Sequence, residues 1–337
     1  MIRTIRRLGF GILLLATVAS AQSAPTLYKQ TTKFDVGGEG GWDYITFDSS
    51  SNRLFIGHNA EIAVVDVGTG KKIGSIPAVG AHGVAVVPEK NLGFSTNGRG
   101  GTVTVFDLKS LQPKQEIKAG ENPDAIIYDQ HSKKILVMNG RSKDLMAIDP
   151  DSLKVVATVP LGGKLEFAAT DATHVYVNVE DTGEIASVDS KTWKADKRWK
   201  LEGCEEPSGL AIDEKAGRLF SVCGNKKMIV LDTKSGSILA TLDTGAGTDG
   251  AAFDPGLGYA FASNGADGTL TVVAVKNGKY EVAAQVPTQR GARTVTVDPK
   301  SHKVFLPTAD FGPPVEGQRR PSIKPNTFVV LVFEPVK

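Results

Sequence analysis

The strongest constraint on this chain is that it repeats itself about every 42 residues, the length of one four-stranded propeller blade. Short apolar runs ending in an acid or proline recur as YITFDSSSNRLFIGH, GVAVVPEKNLGFSTN, AIIYDQHSKKILVMN, FAATDATHVYVNV, GLAIDEKAGRLFSVC, GAAFDPGLGYAFASN and TVTVDPKSHKVFLPT. Their turn residues Asp48, Pro88, Asp129, Asp171, Asp213, Asp254 and Asp298 are spaced by 40, 41, 42, 42, 41 and 44 residues. A second series, AVVDVGTGK, TVFDLKS, MAIDPDS, ASVDSKT and IVLDTKSG, marks a third strand, and KIGSIPAVG, KQEIKAG, KVVATVPLG, DKRWKLEG and ILATLDTG mark a fourth. Each unit thus has four short strands, A to D, with Asp, Gly, Ser and Pro in the turns.

These units predict an all-β fold, a seven-bladed β-propeller. A sandwich or barrel does not demand seven self-similar units at constant spacing. The last unit supplies TVTVDP, KVFLPT and TFVVLVFE but no fourth strand, whereas an orphan, LYKQTTKFDVGG, precedes the first unit. The orphan is expected to complete the last blade and close the ring, leaving no open strand edge there.

The chain opens MIRTIRRLGFGILLLATVASAQSA. Arg3, Arg6 and Arg7 precede an apolar core, Leu8 to Val18, that is too short to span a bilayer, and Ala19-Ser20-Ala21 follows as a small-x-small site. Residues 1–21 therefore read as a secretory signal and 22–337 as one propeller domain, periplasmic or secreted, monomeric and without membrane insertion. Removing the signal lowers Lys+Arg from 39 to 36 against 37 acids. That near-neutral balance offers no general attraction to nucleic acid or anionic lipid.

NPDAIIYD, KKILVMNG, LMAIDPDS and KVVATVPLG follow the order of YVTN-type propeller repeats. Across Leu27 to Pro335 the chain resembles the exported YncE-like proteins of bacteria, and it lacks the GH…WD pairs of WD40 blades. The resemblance implies the propeller but assigns no reaction. It also brings in DNA binding, against which the charge balance and the acidic residues described next argue, although Arg319, Arg320 and Lys324 give a local basic strip.

Strand polarity puts the D–A and B–C loops on one face. Five residues before each turn anchor stand Asp43, Gly83, Asp124, Glu166, Ser208, Asp249 and Arg293, with His82, Glu205, Glu206 and Arg290 beside them. Strand B ends in His58, Asn97, Asn139, Asn178, Cys223 and Asn264. Carboxylates, amides and two histidines therefore surround one channel mouth, a natural place for a ligand. A proline-rich insertion, 311–326, falls on the same face. The opposite face holds His131, His174 and His302 in A–B turns, where solvated surface roles are expected.

Two chemistries suit the mouth. Asp124, Asn139, Glu166 and Asp249 offer oxygens for a divalent cation such as Ca²⁺. Asp43, His58 and His82, from adjacent blades, offer either a general base with its orienting acid or ligands for a transition metal. Glu205, Glu206, Arg290 and Arg293 complete the expected ligand-binding set. We expect a binding module for a small molecule, metal or partner protein, with a metal-dependent hydrolase or lyase acting on an ester or lactone as the alternative. GGEGGWD and GRGGT are glycine turns without a following helix, so phosphate cradling is not supported.

The only two cysteines, Cys204 and Cys223, flank the A–B hairpin of blade 5 nearly opposite each other. In an oxidising compartment they are expected to join, with free thiols or soft-metal ligation as alternatives.

Overall fold

The computed structural model describes residues 27–313 and 321–336. The expected signal segment and the basic pair Arg319 and Arg320 lie outside the described residues. The protein is a seven-bladed β-propeller of four-stranded antiparallel sheets, as its repeat demands.

Blades 1 to 6 each use four consecutive strands. In blade 1 these are Trp42–Asp48, Arg53–His58, Glu61–Asp66 and Lys71–Pro77, running from the channel outward. Blade 7 joins Thr296–Val297, Val304–Thr308 and Val329–Pro335 to Tyr28–Asp35, which forms the outer strand in antiparallel register from Tyr28 opposite Pro335 to Asp35 opposite Val329. The two ends of the propeller therefore close one blade, as expected.

Burial explains the strand sequences. Strands B and C are covered by neighbouring blades on both sides, so RLFIGH, KILVMN and RLFSVC read as nearly unbroken apolar runs. Outer strands are solvated and amphipathic; KADKRWK of blade 4 carries four basic residues that discourage edge-to-edge pairing. Apolar clusters fill the spaces between blades. One joins Phe34 and Val330 of blade 7 to Ile45, Leu54 and Ile56 of blade 1, and so seals the closure. Tyr28 is fully buried and meets Phe261 of blade 6 edge-on, with ring centroids 5.3 Å apart.

The anchors close their turns locally. Asp48 Oδ1 accepts from the Ser50 amide at 2.9 Å, and Asp129 and Asp298 do the same for His131 at 3.1 Å and Lys300 at 2.9 Å. These Asx turns are why the repeat is so visible in sequence.

The insertion has a zipped base: the Gly312 amide donates to the Ser322 carbonyl at 2.7 Å and the Lys324 amide to Asp310 at 2.8 Å. Cys204 and Cys223 are joined in a disulfide across the end of the blade 5 hairpin, with Cα atoms 5.4 Å apart.

Candidate functional site

In each of blades 1 to 6, strand A has a one-residue irregularity in its pairing with strand B at the channel-mouth end. Between Trp42, opposite His58, and Ile45, opposite Ile56, two residues face a single partner. Such bulges re-aim side chains. Here they fall at the ring positions, so Asp43, Asp124, Glu166, Ser208 and Asp249 line a cavity of about 690 Å³ together with Arg293 of blade 7.

Hydroxyls lock the ring across blade boundaries. Thr96 Oγ1 donates to the Asp124 carbonyl at 2.5 Å and accepts from the Gly83 amide at 2.9 Å. Thr294 Oγ1 donates to the Asp43 carbonyl at 2.8 Å, and Ser263 Oγ to the Arg293 carbonyl at 2.5 Å. The ring residues are thus fixed by the frame rather than by flexible loops.

The charged groups form a chain of contacts. Arg293 pairs with Asp249, donates to Asp43 Oδ1 at 3.2 Å and donates to the Trp42 carbonyl at 2.6 Å. The other oxygen of Asp43 is hydrogen-bonded to His82 Nδ1, which also lies 3.4 Å from Asp124 Oδ1. Close approach of blades places that imidazole: a Cβ at Gly57 would come within 2.1 Å of the His82 carbonyl, and one at Gly98 within 2.5 Å of His82 Nε2. Farther round, Lys164 holds Glu166 at 2.7 Å and also pairs with Glu180.

These neighbours set the protonation states. Burial would raise Asp43, but Arg293 and then His82 outweigh it and hold the carboxyl below its ordinary value. Burial would lower His82, but its hydrogen bond to Asp43 and the charge of Asp124 raise it. Asp124 is pushed up to about 7 by burial and then by Asp43. Glu166 is pushed up to about 9 by burial and then by Asp124. The cavity is lined by six carboxyl groups, those of Asp43, Asp124, Glu166, Glu180, Glu206 and Asp249, against Lys164, Arg290 and Arg293.

Two aromatic features were not anticipated. Tyr44 reaches from blade 1 to blade 4, where its ring lies 5.3 Å from Phe167 and its hydroxyl donates to Glu166 Oε2 at 3.4 Å. Tyr44 lines the cavity, and both rings pack against an apolar core cluster of blades 3 and 4. Trp42, Phe311, Pro321 and Ile323 form an apolar wall, with the Arg290 guanidinium 6.0 Å from the Phe311 centroid.

Some expected members of the site stand apart. His58 does not converge with Asp43 and His82: it is 2 % exposed and stacked on Phe328 with centroids 4.1 Å apart. The ring lies outside the residues that line the cavity. Asn139 is fully buried, donates through its side-chain nitrogen to Asp144 Oδ1 at 2.8 Å, and is not among the residues that line the cavity with Asp124, Glu166 and Asp249. Glu205 is exposed and outside the cavity lining, while Glu206 lies within it. Among the described residues, the cluster suited to a metal is Asp43, His82 and Asp124. The turn histidines pair with acids: His131 with Glu214 at 2.8 Å, His174 with Asp196 at 3.0 Å and His302 with Asp254 at 2.8 Å.

No protein-family model and no curated protein sequence matches the chain. Solved structures do resemble it in shape. Hydrazine synthase of Kuenenia stuttgartiensis is similar at 18% identity and a TM-score of 0.67, over 82% of this chain and 94% of that one. U3-55K is similar at 9% identity and 0.75, over 93% and 99%, and the RRP9 WD40 repeats at 8% and 0.75, over 93% and 98%. At these identities the likeness shows the fold alone.

Proposed function

We propose that the chain is a binding module whose channel mouth takes a cation or the cationic group of a small molecule. The observation behind this reading is the excess of carboxyl groups over fixed cations lining one cavity, two of them, Asp124 and Glu166, buried. Buried carboxylates repel one another unless a proton or another positive charge lies between them. Asp124 and Glu166, raised to about 7 and about 9, hold protons where a cationic ligand would instead supply the charge. Asp43, His82 and Asp124 come from three consecutive blades, so the site depends on how blades 1 to 3 pack together.

The YVTN-type repeat order and the leader-like N-terminus support an exported protein of the YncE-like kind. The disulfide suits an oxidising compartment. No helix among the described residues is long and apolar enough to cross a membrane. DNA is a poor fit to this mouth, because its phosphates would meet carboxylates.

One observation favours a second reading, a hydrolase or lyase. An ionised Asp43 and a proton-holding Glu166 share one cavity, and carboxyl groups held in opposite states are the usual parts of acid–base chemistry.

The test is calorimetric titration of the protein, at low ionic strength, with divalent metal salts and with methylammonium. Saturable binding of a cation that raises the melting temperature, and that Asp124→Asn and Asp43→Asn each weaken, is the expected result. Absence of binding by every cation, or binding indifferent to both variants, overturns the reading.

A further inference from the structure

Resting on that reading, we propose that the cation is a divalent first-row transition-metal ion, held by His82 Nδ1, Asp43 Oδ2 and Asp124 Oδ1. These three atoms lie within 4.8 Å of one another and come from three consecutive blades. An ion with bonds of about 2.0–2.2 Å needs donors about 3.0–3.5 Å apart. The 3.4 Å between His82 Nδ1 and Asp124 Oδ1 already meets that requirement. Asp43 Oδ2 hydrogen-bonds His82 Nδ1 and would draw back from it to admit the ion.

The donor set selects the metal class. Calcium and magnesium take oxygen ligands almost throughout, whereas an imidazole nitrogen with two carboxylates suits zinc, manganese, iron or cobalt. Three protein donors would leave coordination positions for a bound molecule. Two of them, Asp43 and Asp124, line the same cavity as Trp42, Phe311 and Ile323.

Charges balance without further partners. The two carboxylates of Asp43 and Asp124 match a divalent ion, while Arg293 is matched by Asp249. Arg293 also occupies the outer oxygen of Asp43, at 3.2 Å, and so turns the inner oxygen towards His82. Groups that orient ligands in this way are a regular part of metal sites. Thr96 fixes the Asp124 backbone, and Gly98 leaves the space that His82 fills. Gly98→Ala should therefore disturb the imidazole without removing any donor.

The experiment uses the full mature chain, stripped with a chelator and then dialysed free of it. Zn²⁺, Co²⁺, Ca²⁺ and methylammonium are titrated separately by calorimetry, and the Co²⁺ complex is read by its visible absorption. We expect one Zn²⁺ or Co²⁺ per chain, Ca²⁺ binding weaker by about 100-fold, and Co²⁺ bands of a mixed nitrogen–oxygen site. His82→Ala and Asp124→Asn should each weaken Co²⁺ binding by about 100-fold, and Gly98→Ala by about 10-fold, with His131→Ala unchanged. Far-UV circular dichroism and a melt establish that each variant is folded. A misfolded His82→Ala is replaced by His82→Gln, which must lose the nitrogen signature in the Co²⁺ spectrum.

Tight methylammonium binding with no metal binding overturns this inference and leaves the cation-binding reading intact. Failure of every cation overturns both. Metal binding that survives loss of His82 also overturns the inference, because the ion then sits on carboxylates alone.

Discussion

Tyr44 of blade 1 and Glu166 of blade 4 meet across the channel, with the tyrosine hydroxyl donating to Glu166 Oε2 at 3.4 Å. Both residues line the cavity, and the Phe167 ring packs 5.3 Å from that of Tyr44. Removing the hydroxyl and removing the ring should have separable effects. Tyr44→Phe keeps the ring and should lose about 0.5–1.5 kcal/mol, the usual worth of one hydrogen bond. Tyr44→Ala also leaves a cavity and should lose about 3–5 kcal/mol. Urea unfolding of both variants is the check, and equal losses would show that packing of the ring adds nothing beyond the hydroxyl.

Glu166 gives the mouth a pH dependence. Its carboxyl rises from an ordinary 4.5 to about 9 in the folded protein, through burial and then the charge of Asp124. A group that holds its proton more tightly when folded contributes stability that is complete below the unfolded value and is lost as pH rises through the folded one. The protein should therefore lose stability between about pH 5 and pH 9, and Glu166→Gln should flatten that slope. Urea midpoints at several pH values decide it. An unchanged slope in the variant would mean that Lys164, 2.7 Å away, keeps Glu166 ionised throughout.

Sequence showed the frame of this site and missed the aromatic contact between Tyr44 and Phe167, for physical reasons. The anchors Asp48, Asp129 and Asp298 bond their own turns within three residues, so their chemistry is local and recurs at a fixed spacing. The ring of Asp43, Asp124, Glu166 and Asp249 follows from the same spacing by a constant offset. Tyr44 and Phe167 each follow a ring residue, yet their contact exists only when blades 1 and 4 face each other across the closed ring. The residues that follow the other ring positions are Val84, Ala125, Gly209, Gly250 and Thr294, so the aromatic pair was present as a signal. His58 and Asn139 misled because strand-end polar residues look alike whether they turn to the channel or into the blade. What separates them is packing, on Phe328 for one and Asp144 for the other.

The disulfide closes a loop with a sequence separation of 19 and ties down the end of the segment carrying Glu206. In the chain-entropy account, a loop of this size favours the folded state by about 3 kcal/mol. Replacing both cysteines by serine should lower stability by about that amount while the propeller stays folded, since Cys204 and Cys223 belong to one apolar cluster among several. Guanidinium unfolding of the double variant, beside alkylation and intact mass of the unreduced wild type, tests this. An unaltered midpoint would place the stabilisation elsewhere.

His58 has a different consequence from the one its sequence position suggested. Its ring is stacked on Phe328, beside the Val36–Gly41 segment through which the closing strand of blade 7 enters blade 1. The groups facing it are Glu61, 3.8 Å from Nδ1, and Lys72, which Glu61 already holds at 2.5 Å. Burial is the largest influence and lowers the imidazole from its ordinary 6.5, and no partner meets the buried Nε2. A histidine that resists protonation when folded contributes stability that is present above its unfolded value and is lost as pH falls through the folded one. Melting temperature should therefore drop as the protein is acidified below pH 6.5. His58→Phe retains a ring for stacking but cannot take up a proton, so its acid-side slope should be shallower. Hydrogen exchange would locate the effect: acid should first expose amides of Tyr28–Asp35 and of Trp42–Asp48, the strands on either side of the junction. Uniform loosening of all seven blades, or an acid slope shared by wild type and variant, would show that His58 does not control this seam.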